Sequence, residues 1–121
     1  MAKHNEIGQL GEELAVKFLK AKGYQIEELN WRFKKAEIDI IGRHEDTIVF
    51  FEVKTRSTAY FGQPEEFVTP KKEALIVDAA GVYCEQVGHE WAIRFDIIAI
   101  VLKNNDPVIN HFEDAFFPSI E

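Results

Sequence analysis

The 121-residue sequence predicts an α/β fold, one mixed β-sheet flanked by helices in the order α-β-β-β-α-β-β. Apolar residues recur at helical spacing near the N-terminus and again after Pro70, while the stretches between and beyond are short runs rich in β-branched and aromatic residues. With 46% hydrophobic residues, ten Phe and no internal repeat, low-complexity segment or linker, residues 1–121 read as a single domain with ample material for a core.

In residues 5–22, Ile7, Leu10, Leu14, Ala15, Phe18 and Leu19 form one helical stripe. Asn5 is placed to cap its start, and Gly23 to supply the left-handed residue that ends it. Glu13 falls on the outer face one turn before Lys17. Glu12 falls at the margin of the stripe, where a carboxylate either skims the protein edge or points along the sheet towards a site. Residues 24–30 read as a short strand, followed by Trp31, Arg32, Phe33 and a basic turn, Lys34-Lys35. Residues 36–41 alternate, with Glu37 and Asp39 on one face and Ala36, Ile38 and Ile40 on the other. Residues 42–46 then turn the chain back into the run Thr47-Ile48-Val49-Phe50-Phe51, which predicts an antiparallel hairpin.

Two registers suit this hairpin. With Ile41 opposite Thr47, Asp39 lies on the sheet face away from Glu52; with Ile41 opposite Ile48, Glu37 stands across from Glu52 and Asp39 shares their face. Only the second, or an equivalent bulge, gathers the carboxylates. Residues 57–68 form a loop long enough to act as a flap. Thr69-Pro70 opens a helix whose stripe is Leu75, Ile76, Ala79, Ala80, Tyr83 and Val87, ended by Gly88. Lys72 heads that stripe, at a helix N-terminus where its charge opposes the dipole. Either a carboxylate or anion lies opposite it, or its stem covers apolar surface with the amine in water. Residues 91–102 are a long apolar strand carrying Arg94 and Asp96 as an internal ion pair on a partly exposed face. Residues 104–107 make a turn and residues 108–112 a last strand. The tail Phe116-Phe117-Pro118 either packs back on the body or marks a partner surface.

Composition narrows the function. Cys84 is the only cysteine, so no intrachain disulfide forms; the polar N-terminus and the lack of any membrane-length apolar run lead to the expectation of a cytoplasmic protein with no membrane association. His4, His44, His89 and His111 lack zinc-site spacing, and no glycine run of the phosphate-cradling kind is present, so no nucleotide cofactor is expected. The net charge of −7 argues against a protein that coats nucleic acid indiscriminately. Its distribution is uneven: residues 1–56 hold ten basic and ten acidic residues, the remainder four and eleven. Arg32, Lys34, Lys35, Lys54 and Arg56 thereby form a candidate positive lip.

Glu52 and Lys54, two apart at the end of the central strand, project side by side. Alone, such a pair is more often solvated charge at the end of a core strand. Together with Glu12 and Asp39, and with Glu37 nearby, it becomes a set suited to phosphodiester hydrolysis, which uses a carboxylate-held divalent cation to activate water and an ammonium to polarise the nucleophile or the phosphoryl oxygen.

The ordered set Gly8-x-x-Gly11-Glu12-x-x-Ala15, Gly23-Tyr24, Asn30-x-Arg32, Glu37-Ile38-Asp39-Ile40-Ile41, Val49-Phe50-Phe51-Glu52-Val53-Lys54-Thr55-Arg56, Gly62, Lys72 and Arg94-Phe95-Asp96 resembles the YraN-like bacterial family over nearly the whole chain. That family is similar to the archaeal Holliday-junction resolvases, within the restriction-endonuclease-like superfamily of the PD-(D/E)xK signature. The resemblance implies a restriction-endonuclease-like core, a divalent metal of the magnesium type (or manganese) held by Asp39 and Glu52, Lys54 as catalytic lysine and Glu12 as accessory carboxylate. It also implies that Lys72 and Gln63 lie near the substrate; the lip residues Arg32, Lys35 and Arg56, read from the uneven charge, are the further expected nucleic-acid contacts. One departure is Ala36, where the family usually has a Gly that would let the strand bend. The expectation is a metal-dependent nuclease acting on DNA, branched DNA included, with a two-fold homodimer by analogy with resolvases. The alternatives are a non-catalytic nucleic-acid-binding or adaptor protein that keeps the fold, and a protein-interaction domain with no nucleic-acid role.

Overall fold

The N-terminal stripe becomes α1 (Ala2–Ala21), which seats Ala15 and Leu19 against the sheet and leaves Glu13 exposed. The structure, a computed structural model, describes residues 2–56, 69–102 and 106–115. The expected flap, with Gly62 and Gln63, and the Phe116-Phe117 tail lie outside the described residues. The helix starts at Ala2, so Asn5 is inside it rather than at its cap; the residues before Asn5 include good helix formers that carry the turn upstream. Gly23 takes φ +99° and closes the helix as expected.

Five strands follow the predicted order: β1 (Gln25–Phe33), β2 (Ala36–His44), β3 (Thr47–Arg56), then α2 (Pro70–Val87), β4 (Ile93–Val101) and β5 (Val108–Phe112). They form a single mixed sheet in the order β1-β2-β3-β4-β5. Only the β3–β4 pair is parallel, as a crossover through a helix requires. Ile48, Phe50, Phe95 and Ile97 face α2 through Ile76, Ala79, Ala80 and Tyr83. Val49, Phe51, Ile98 and Ile100 face α1. The central strands β3 and β4 are therefore buried on both sides and read as nearly continuous apolar runs for that reason, whereas no residue of the edge strands β1 and β5 is buried. Among the described residues no helix is long and apolar enough to cross a membrane.

The first hairpins depart from expectation in ways that matter to the site. β1 does not stop at Asn30 but continues to Phe33, with Asn30 inside it at φ +52°, a left-handed conformation that Asn tolerates. Its flanking pairs Leu29↔Ile40 and Trp31↔Ile38 put this kink beside Asp39. β2 does not alternate evenly: Ala36 and Ile38 join the α2-side core while Ile40 joins the α1-side core. The alternation thus breaks at Asp39. The β2–β3 turn is shorter than residues 42–46, consisting of Glu45 at φ +57° and Asp46, with His44 opposite Thr47. The register matches neither expected alternative, since Ile41 stands opposite Phe50. This is the second expected register slid by two residues, a shift that preserves which side chains share a face.

Candidate functional site

The site begins where β2 and β3 part. Their ladder runs from His44↔Thr47 to Ile40↔Phe51 and ends there, although β3 continues to pair with β4 as far as Arg56↔Val101. The N–H of Val53, on the released edge of β3, donates instead to the Asp39 carboxylate, Oδ2, at 2.8 Å. Asp39 is thereby tied to the backbone of β3. It lines two adjoining hollows, one of about 170 Å³ with Lys35, Glu37, Glu52 and Lys72, and one of about 360 Å³ with Glu12, Lys54, Thr55 and Arg56. A larger hollow of about 520 Å³ between α1 and β1 shares only Glu12 with the second.

Glu52 is 6% exposed, and its Oε2 accepts a hydrogen bond from Lys72 Nζ at 2.5 Å. Lys54 Nζ lies 3.7 Å from the same oxygen. Of the alternatives for Lys72, the structure shows a carboxylate opposite it. Thr69 caps α2 by accepting from the Lys72 N–H, which aims the side chain at the end of β3.

Glu12 reaches the site because α1 lies directly on β3. A Cβ at Gly11 would come within 1.9 Å of Thr55 Oγ1, so only glycine allows this approach. Glu12 Oε1 then accepts from Asn30 Nδ2 at 3.1 Å, and the carboxylate points into the hollow rather than off the protein edge. Asn30 is a positioning residue that the sequence offered only as part of a motif; its signal was an Asn inside a run of strand formers.

Burial and the negative charges of Glu52 and Glu12 push the Asp39 carboxyl up to about 7, only partly offset by the Val53 N–H and the Lys72 ammonium. A carboxyl so placed gains from a cation. Among the described residues no group of three or more His, Cys, Asp and Glu is placed to hold a metal ion; Asp39 and Glu52 are two carboxylates that line one hollow. Two hard oxygen donors suit magnesium or manganese, which commonly keep water and substrate phosphate as their remaining ligands. The residues present fit such an ion.

Of the lip, Lys35 lines the Glu52 hollow and Arg56 lines the Lys54 hollow, with Nη1 of Arg56 donating to Thr55 O at 3.3 Å. Arg32 is exposed on β1 and paired with Glu37 at 3.5 Å, and Lys34 lies over the Phe33 ring, so neither lines these hollows. Gln63 lies outside the described residues.

The expected Arg94–Asp96 pair forms, but Asp96 is fully buried rather than on a partly exposed face. It accepts from Arg94 Nε and Nη2, from the Asp114 N–H and from His111 Nε2. Burial pushes its carboxyl up, yet these donors outweigh burial and hold it below the usual range. His111 is therefore structural, its Nδ1 accepting from Lys22. Burial pushes the Cys84 thiol up, away from a nucleophile's range.

The profile of the uncharacterised protein family UPF0102 matches residues 11–100. Among relatives, a UPF0102 protein of Flavobacterium psychrophilum is 50% identical over 97% of this chain and 98% of its own length. One from Christiangramia forsetii is likewise 50% identical, and one from Phocaeicola vulgatus is 41% identical over 99% of both chains.

Proposed function

We propose that this chain, which belongs to the uncharacterised protein family UPF0102, is a metal-dependent nuclease acting on DNA through the site at the parting of β2 and β3. The carrying observation is that Asp39 and Glu52, from neighbouring strands, line one hollow while Lys54 stands 3.7 Å from Glu52. Support also comes from the helix and strand order, which suits the restriction-endonuclease-like core implied by the sequence resemblance.

Asp39 and Glu52 would hold a magnesium- or manganese-type cation, which supplies an activated water and offsets charge developing on the phosphate. The chain's own residues do the rest. The Val53 N–H fixes Asp39 before substrate arrives, so its orientation needs no rearrangement. Lys54 donates to a phosphoryl oxygen as negative charge grows there. Glu12, oriented by Asn30, lies across the adjoining hollow, where it accepts a proton from water. Lys35 and Arg56, one at each hollow, hold flanking phosphates and orient the strand. A branched substrate and a two-fold dimer belong to the same proposal.

The test incubates purified protein with linear and branched DNA in magnesium or manganese. Wild type cleaves, and Asp39→Ala loses at least about a hundredfold in rate; equal cleavage by both proteins contradicts the proposal. The Lys72–Glu52 contact favours one other reading, a DNA-binding protein without turnover. Binding that persists in EDTA, with no cleavage under either metal, selects it.

A further inference from the structure

We propose that Lys72 is an internal place-holder for the divalent cation: its ammonium occupies Glu52 until the ion enters, then moves to the substrate phosphate. This rests on reading Asp39 and Glu52 as the metal-holding pair. Glu52 is 6% exposed, and a carboxylate so buried is costly unless something positive is beside it. The nearer partner is not the neighbouring lysine of its own strand but Lys72, from α2, at 2.5 Å against 3.7 Å for Lys54.

The remaining observations make that contact exchangeable. Lys72 sits in the first turn of α2, with its N–H bound to Thr69 Oγ1, where the helix dipole disfavours a cation. Its ammonium is therefore held by Glu52 against the preference of its own helix. Its side chain is 39% exposed, so a route to solvent is open along a flexible four-carbon stem. A doubly charged ion between Asp39 and Glu52 would repel the ammonium at close range and compete for the same oxygen. Lys72 then joins Lys35 at the mouth of that hollow, where the charge faces an incoming phosphate. Metal entry and phosphate capture are thereby coupled through one side chain.

Manganese titration of the full chain by calorimetry tests this without relying on turnover. Lys72→Met keeps the stem and removes the charge, so it binds manganese roughly tenfold more tightly than wild type. Lys72→Arg stays close to wild type, as does Lys71→Met, which changes an exposed neighbour that does not line the hollow. Should Lys72→Met fold poorly, Lys72→Gln carries the same expectation. In DNA binding, Lys72→Met loses affinity roughly fivefold with manganese present and little in EDTA, where Lys72 is engaged by Glu52. Manganese bound equally by wild type and Lys72→Met, or a DNA-affinity loss that ignores the metal, overturns the place-holder while leaving the metal pair intact. If neither protein binds manganese, the metal pair is overturned, and the place-holder with it.

Discussion

Asp39 is the residue in which the conflict built into the site is concentrated. Burial and two neighbouring carboxylates raise it to about 7, well above the 3.8 of an unfolded chain. A raised acid favours the protonated form in the folded state, so its contribution is most favourable below 3.8 and is lost as pH climbs towards 7. Asp39→Asn mimics the protonated form and can still accept from Val53, so it should stabilise the metal-free protein at pH 8. The gain, of order 1–3 kcal/mol after allowance for partial exposure, should fade by pH 4. Denaturant unfolding at both pH values checks it; a variant less stable than wild type at pH 8 contradicts the assignment. The sequence singled out Asp39 by residue type but left its direction open, because one residue of register reverses every side chain of a strand. The bend that a Gly at position 36 would permit is not needed there. The kink falls at Asn30 and the break in alternation at Asp39, while Ala36 is buried in the α2-side core and its methyl is accommodated there.

Among elements, α1 was legible as a helix from its stripe, but its distance from the sheet was not. Helical spacing names the inward residues without saying how closely the backbone approaches. That approach is set at Gly11 against Thr55, and it decides that Glu12 enters the hollow. An alanine inside a helix usually stabilises relative to glycine by about 0.5–1 kcal/mol. Here the sign should reverse, because the added methyl meets a strand side chain on a packed face. Gly11→Ala should cost roughly 1–3 kcal/mol and draw Glu12 away from Asp39. Thermal denaturation measures the first effect; a rise in melting temperature would show that α1 does not lie on β3 as described. The β2–β3 hairpin follows the same logic: its strands were visible in composition, whereas its register depended on a two-residue reversal and a strand break that composition does not encode.

At the scale of the whole molecule, the α/β architecture and the order of its elements could be read from the chain, since two helical periods and five apolar runs leave few ways to cover a sheet on both sides. The uneven charge is legible too, but its use depends on geometry. Lys35, Lys54, Arg56 and Lys72 line the hollows, whereas Arg32 lies apart on β1. Lys72 pairs with a carboxylate, a contact that required α2 and β3 to be placed together before it could be seen. All the proposed chemistry assumes that a divalent cation rests between Asp39 and Glu52. Anomalous diffraction from crystals soaked in manganese tests that most directly. The account predicts a strong peak within bonding distance of both carboxylates, with the Lys72 ammonium displaced from Glu52. An empty hollow, or manganese bound elsewhere with Lys72 still on Glu52, would contradict it.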